Sequence, residues 1–220
     1  QGNIPILVGG TGLYFRALEC GLDSLPEADC CIRAKIEAEA EAKGWEYLHT
    51  KLGKVDPKSA LRINQNDTQR IQRALEVFEI TGNTLTELTN TKNKKPFPFP
   101  IKKIILFPDN REELHERVKR RFVKMLETGL VEEVKSFYDR GDLSLDLPSM
   151  RLVGYRQVWR YLDNQIDYNE MKEHSIIATR QLAKRQMTWC RTEKSAERFD
   201  PYKSDIFSEI LGNLKELTKK

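Results

Sequence analysis

Residues 4–8, Ile-Pro-Ile-Leu-Val, run directly into Gly9-Gly10-Thr11-Gly12, and Leu13-Tyr14-Phe15-Arg16-Ala17-Leu18 follows with helical character. An apolar run, a glycine turn and a helix, in that order, is the grammar of an α/β sheet. It predicts a strand over residues 4–8 and a turn at the carboxyl end of a parallel strand, where ligands bind. The two glycines would let the backbone approach a phosphate closely, and the helix N-terminus would supply amide donors. The Thr11 hydroxyl could donate to a leaving-group oxygen. Taken alone the turn is unspecific, because most glycine turns between strand and helix are only turns.

Residues 22–95 read differently. Residues 32–43 are rich in Ala, Glu and Lys, which predicts a helix. Trp45, Leu48 and Leu52 mark a second helical face. Asp56-Pro57 opens a third helix, with Asp as cap and Pro in its first turn. Asp67 caps a fourth carrying Ile71, Leu75 and Phe78, and Thr84 caps a short fifth with Leu85 and Leu88. No strand is expected in this block. Alternate prolines then make residues 94–100 a linker. Residues 101–107 are β-rich and should return to the sheet that residues 4–8 begin. Residues 111–138 form one long helix or two, with Leu114, Val118, Phe122, Met125 and Leu126 as the apolar stripe and Gly129 as a break. Helices are expected within residues 148–191, including 168–189, and a Lys-rich helix over 204–220.

The fold class is therefore α/β. A parallel-sheet core is carried by residues 1–21 and 101–140. A helical insertion domain spans 22–100, and a helical C-terminal part spans 141–220. Hydrophobic residues make up 39% of the 220, enough for a core, and the net charge of +4 permits a nucleic-acid partner without demanding one. Cys20, Cys30, Cys31 and Cys190 form no C-x-x-C pair, and three histidines are too few to complete a zinc site, so no metal ligand set is identified. A reduced cytoplasmic chain with no membrane span is expected. The chain begins at Gln1 rather than Met, so the expectation is a fragment or processed product.

Several basic stretches could carry chemistry. Arg117 and Arg121 lie one helical turn apart, with Arg111 and Arg120 nearby. A guanidinium fork suits pyrophosphate, although Glu112, Glu113 and Glu116 could neutralise this face instead. Gln69, Arg70 and Arg73 follow the Asp67 cap and should point outward, with residue types that read bases and bind phosphates. Residues 150–157 set Arg151, Tyr155 and Arg156 around Gly154, and Lys184-Arg185-Gln186 precede Thr188, Trp189 and Arg191. Basic residues interleaved with aromatics suit single-stranded nucleic acid. A Trp on a helix is nonetheless more often core than stacking platform.

Leu7-Val8-Gly9-Gly10-Thr11-Gly12-Leu13-Tyr14, Asn66-Asp67-x-Gln69-Arg70-x-x-Arg73-Ala74-Leu75-Glu76, Gly82-x-Thr84-Leu85-Thr86, residues 151–157 and Thr179-Arg180-x-x-Ala183-Lys184-Arg185-Gln186-x-Thr188-Trp189 occur together and in this order. In that set the chain resembles the tRNA dimethylallyltransferases over residues 1 to about 191. The resemblance implies a P-loop-like α/β core, incomplete here, with a helical insertion. It implies transfer of a dimethylallyl group from its diphosphate to the exocyclic amine of the adenosine 3′ of the anticodon, assisted by Mg2+. Thr11 and Arg121 would be catalytic, and Gly9, Gly10, Thr11, Arg117 and Arg121 would hold the diphosphate. The tRNA anticodon stem-loop would meet Gln69, Arg70, Ile71, Gln72 and Arg73. It would also meet Arg151, Leu152, Val153, Gly154, Tyr155 and Arg156, and Lys184, Arg185, Gln186, Met187, Thr188, Trp189, Cys190 and Arg191. A monomer is expected.

The sequence departs from the family in one respect. It contains no G-x-x-x-x-G-K-[ST] stretch, and Asp23, Asp29 and Asp67 do not fit the family's base position. The expectation is half an active site, inactive alone, with a sheet edge prone to aggregation. Three competing readings also fit these residues: a prenyltransferase acting on free adenine nucleotides, a non-catalytic tRNA-binding fragment, and a P-loop nucleotide kinase. Residues 151–157 and 184–189 argue against the kinase.

Overall fold

A computed structural model describes residues 4–89 and 97–217, with side chains through residue 214. Residues 94–96 of the expected linker and the last three residues of the expected final helix lie outside the described residues. The chain divides into two compact units, residues 1–12 with 101–220, and residues 13–100.

The second unit is helical: α1 (Gly12–Cys20), α2 (Cys30–Lys43), α3 (Trp45–Val55), α4 (Pro57–Arg62), α5 (Thr68–Thr81) and α6 (Leu85–Thr89). Its starts are set by local chemistry. Asp29 Oδ1 accepts from the amides of Cys31 and Ile32, Asp56 Oδ1 from Ser59 and Asp67 Oδ1 from Arg70. Each satisfies amides that a helix leaves open at its start. The apolar faces of α2, α3 and α5 close on one core, in which Leu48, Leu52 and Ile71 are fully buried. Asp56 also accepts from the Thr86 hydroxyl at 2.7 Å and the Thr86 amide at 2.9 Å, which pins α6 to the start of α4. Burial would push the Asp56 carboxyl up, but the Thr86 and Ser59 hydrogen bonds outweigh it and hold the pKa below the usual range.

The first unit holds β1 (Ile104–Leu106), α7 (Arg111–Glu127), α8 (Leu130–Tyr138), α9 (Tyr155–Leu162), α10 (Tyr168–Thr192), β2 (Glu197–Phe199) and α11 (Ile206–Leu217). The break between α7 and α8 falls at Gly129, whose φ of 101° few residues other than glycine adopt. Gly154, at φ 98°, starts α9, and its amide donates to Gln157 Oε1 at 2.9 Å. The core gathers Phe122, Val134, Val158, Trp159 and Met171, with α10 packed on α7 and α9. The sheet is β1 and β2 in parallel, with Ile104 opposite Glu197 and Leu106 opposite Phe199.

Two expectations about the sheet are corrected. Residues 4–8 form no strand: they are irregular, and Ile6 and Val8 are 77% and 92% exposed. A parallel strand is stable only when neighbours satisfy its amides and carbonyls, and none of the described residues pairs with this segment. The partner of β1 is instead residues 197–199, Glu-Arg-Phe, which carry no alternating pattern and were not expected as a strand.

Candidate active site and nucleic-acid face

The glycine turn and α10 meet. The Gln186 side-chain amide donates to the Gly10 carbonyl at 3.1 Å. A Cβ on Gly10 would strike that amide, and a Cβ on Gly12 would strike the Trp189 indole. The glycines are therefore required here by the close approach of α10. The sequence pointed to these two segments separately, for a diphosphate and for RNA, and the fold brings them into contact. Gly9, Gly10 and Thr11 are exposed, and the Thr11 hydroxyl makes no hydrogen bond among the described residues.

Further along α10, Gln181, Lys184, Arg185 and Thr188 line an open depression of about 390 Å³. Met187, Trp189 and Cys190 are half-buried, and burial pushes the Cys190 thiol above its ordinary pKa. Arg191 and Arg198 lie over the Phe107 ring at 5.4 and 5.6 Å. Arg198 also donates to the Cys190 and Arg191 carbonyls, both at 3.2 Å, closing the helix C-terminus. Arg198 was not expected from sequence, because only the β1–β2 pairing brings it beside Phe107.

On α7 the two candidate arginines differ. Arg117 pairs with Glu113 at 3.5 Å and stacks over the Tyr202 ring at 4.0 Å. Arg121 is exposed and makes no ion pair among the described residues. On the same helix His115 is held below the usual imidazole pKa, first by burial and then by the charges of Arg180 and Arg111. Arg180 itself keeps a buried Nε with no hydrogen-bond partner. An unbonded buried donor is costly, and an anion would relieve it. Neither role was read from the sequence, since both depend on α7 packing against α10.

Residues 151–156 divide similarly. Arg151 donates to the Leu145 carbonyl at 2.6 Å, Tyr155 bonds Glu133, and Gly154 is buried. Leu152 and Arg156 are exposed, and Val153 is half-buried.

In the helical unit one expectation is corrected. Arg73 does not point outward: it donates to Glu76 at 2.6 Å and to the Pro26 carbonyl at 2.5 Å. Glu76 is fully buried and also receives Arg33 at 2.8 Å and the Asp29 amide at 2.9 Å. A buried carboxylate needs such partners, and this one draws the guanidinium inward. Burial would raise its pKa, but the bonds from Arg33, Arg73 and the Asp29 amide overcome that and hold it at about 2. Ile71 is core, Arg70 pairs with Asp67 at 2.8 Å, Gln72 donates to Glu37 at 2.8 Å, and Gln69 is exposed.

Magnesium favours carboxylate and phosphate oxygens in octahedral geometry. Among the described residues the one group of three candidate ligands is Asp29, Cys30 and Cys31, two of them thiols. That set does not fit magnesium, so no step below is routed through it.

A family model described as IPP transferase matches residues 1–193. With the α/β class and the turn-and-helix site, that match places the chain in the IPP transferase family. The tRNA dimethylallyltransferase of Coxiella burnetii (strain CbuG_Q212) is 50% identical over 215 residues, 98% of this chain and 71% of that protein. A solved full-length tRNA isopentenylpyrophosphate transferase from Bacillus halodurans superposes with a TM-score of 0.56 at 33% identity, over 95% of this chain and 66% of that one. A structure of a eukaryotic dimethylallyltransferase acting on tRNA matches in fold with a TM-score of 0.74 at 22% identity, over 99% of this chain and 57% of that one. No helix among the described residues is long and apolar enough to cross a membrane.

Proposed function

We propose that the protein transfers a dimethylallyl group from dimethylallyl diphosphate to the exocyclic amine of the adenosine 3′ of the anticodon in tRNA, releasing diphosphate. The observation that carries this reading is the seating of Gly10 and Gly12 against Gln186 and Trp189. It brings a phosphate-type turn and a basic, aromatic helix into one place, as a reaction between an allylic diphosphate and an RNA base requires.

The C–O bond to diphosphate breaks, its electron pair leaves with the bridging oxygen, and the amine nitrogen forms the new C–N bond and loses a proton. Charge grows on the leaving oxygens. The Thr11 hydroxyl donates to the bridging oxygen and Arg121 pairs with the diphosphate, stabilising the transition state more than the ground state. The target adenine has to leave the anticodon stack, and Lys184, Arg185 and Arg156 hold the loop by its phosphates while it does. The amine is a weak nucleophile until a base takes its proton, and we assign no residue of this chain to that step. The protein works as a monomer in the cytoplasm, where its RNA substrate is.

The 220 residues alone are proposed not to catalyse transfer, because they contain no phosphate loop of the G-x-x-x-x-G-K-[ST] type. The test is therefore a chimera, in which this chain replaces the matching region of the Coxiella burnetii relative. Mass analysis of digested tRNA should show a dimethylallyl adduct on that adenosine. A folded chimera that modifies free adenine nucleotides but no tRNA would overturn the reading in favour of a nucleotide prenyltransferase.

A further inference from the structure

We propose that Asp29, Cys30 and Cys31, at the start of α2, bind a soft d10 divalent cation such as zinc or cadmium through two thiolates and one carboxylate oxygen. Their ligand atoms all lie within 4.8 Å of one another on an exposed surface. The two Sγ atoms are 4.0 Å apart. Two thiolates on one tetrahedral zinc, with Zn–S bonds of about 2.3 Å, stand roughly 3.8 Å apart. The pair thus closes on a metal with a shift of a few tenths of an ångström, which side-chain torsion can supply.

The carboxylate is already in place. Asp29 Oδ1 accepts the Cys31 and Ile32 amides, both at 2.9 Å, which leaves Oδ2 for a ligand. The Asp29 amide donates to the buried Glu76, so the backbone at the site is held on both sides. Preorganised donors lower the entropy lost on binding.

The same geometry disfavours the other fate of two exposed thiols. Adjacent residues have Cα atoms about 3.8 Å apart, whereas disulfides span roughly 4.4–6.8 Å. An intrachain Cys30–Cys31 disulfide would have to distort the first turn of α2, which favours the dithiol over that bridge. Three protein donors leave the fourth position open to water or an exchangeable ligand, unlike a closed structural site.

The test uses the full 220-residue chain carrying Cys20→Ser and Cys190→Ser, which removes the other two thiols. Cadmium titration should give a sulfur-to-metal charge-transfer band saturating at one ion per chain. Zinc should compete for the site and raise the melting temperature, as a ligand selective for the folded state does. Cys31→Ser should abolish the band and the zinc-dependent rise, while circular dichroism stays unchanged. Asp29→Asn keeps a capping side chain but weakens the donor, and should loosen binding about tenfold. Absence of the band, a band that survives Cys31→Ser, or saturation at one ion per two chains would overturn the proposal.

Discussion

Gln186 reaches across 176 positions of chain to donate its side-chain amide to the carbonyl of Gly10, at 3.1 Å. Beside this bond Trp189 covers Gly12 so closely that no Cβ fits between them. Substitutions here separate two reasons for a glycine. Gly10→Ala meets the movable end of a glutamine and should cost under about 1 kcal/mol. Gly12→Ala meets a rigid indole and should cost about 1–3 kcal/mol, as overpacking does. Urea melts of Gly12→Ala, Trp189→Ala and the double variant check this, since a direct contact predicts a double-variant loss smaller than the sum.

Arg117 and Arg121 should separate stability from catalysis. Arg117→Ala loses the Tyr202 stack and the Glu113 pair, and should lower stability by about 1 kcal/mol. Arg121→Ala loses no described partner and should leave the urea midpoint unchanged. In the chimera it should lower kcat about 100-fold, with little change in tRNA affinity. Equal effects of the two variants on kcat would contradict the division.

Glu76 gives the helical unit an acid limit. Its folded pKa, about 2, lies below the ordinary 4.5, so its contribution is present above 4.5 and is lost as pH falls towards 2. The shift corresponds to a contribution on the order of 3 kcal/mol. Urea melts at pH 6, 4 and 3 should show the loss. Glu76→Gln should be less stable by a similar amount at pH 6 and should flatten the slope between pH 4.5 and 2.

Local chemistry explains which parts of this fold were legible in the sequence. Asp56, Asp67 and Thr84 announce helix starts because a cap acts within a few residues, and Gly129 announces a break for the same reason. The apolar run at residues 4–8 has the composition of a strand, yet composition supplies no neighbour to pair with. Residues 197–199 have no strand pattern and become β2 only because β1 lies alongside. The inward turn of Arg73 was unreadable because Glu76 looks like any helical glutamate until Arg33 and the Asp29 amide converge on it. In the site, residue types pointed to Thr11, Arg121 and Lys184, whereas the roles of Arg198, His115 and Arg180 depend on tertiary packing.

Phosphate contacts should be visible in salt dependence. Arg156, Lys184 and Arg185 are exposed and pair with no described carboxylate. Replacing each by Ala should reduce the slope of log affinity against log salt by about 0.7, the single-strand value per phosphate. Arg151, already engaged by the Leu145 carbonyl, should change the slope less.

The most direct measurement is a titration of the 220-residue chain against an anticodon stem-loop with adenosine 3′ of the anticodon, and against the same RNA with that base changed. A tRNA-reading site beside the glycine turn predicts that the change weakens binding about tenfold or more, and that Trp189→Ala removes the difference. Equal affinity for both RNAs, from a chain that circular dichroism shows to be folded, would contradict it.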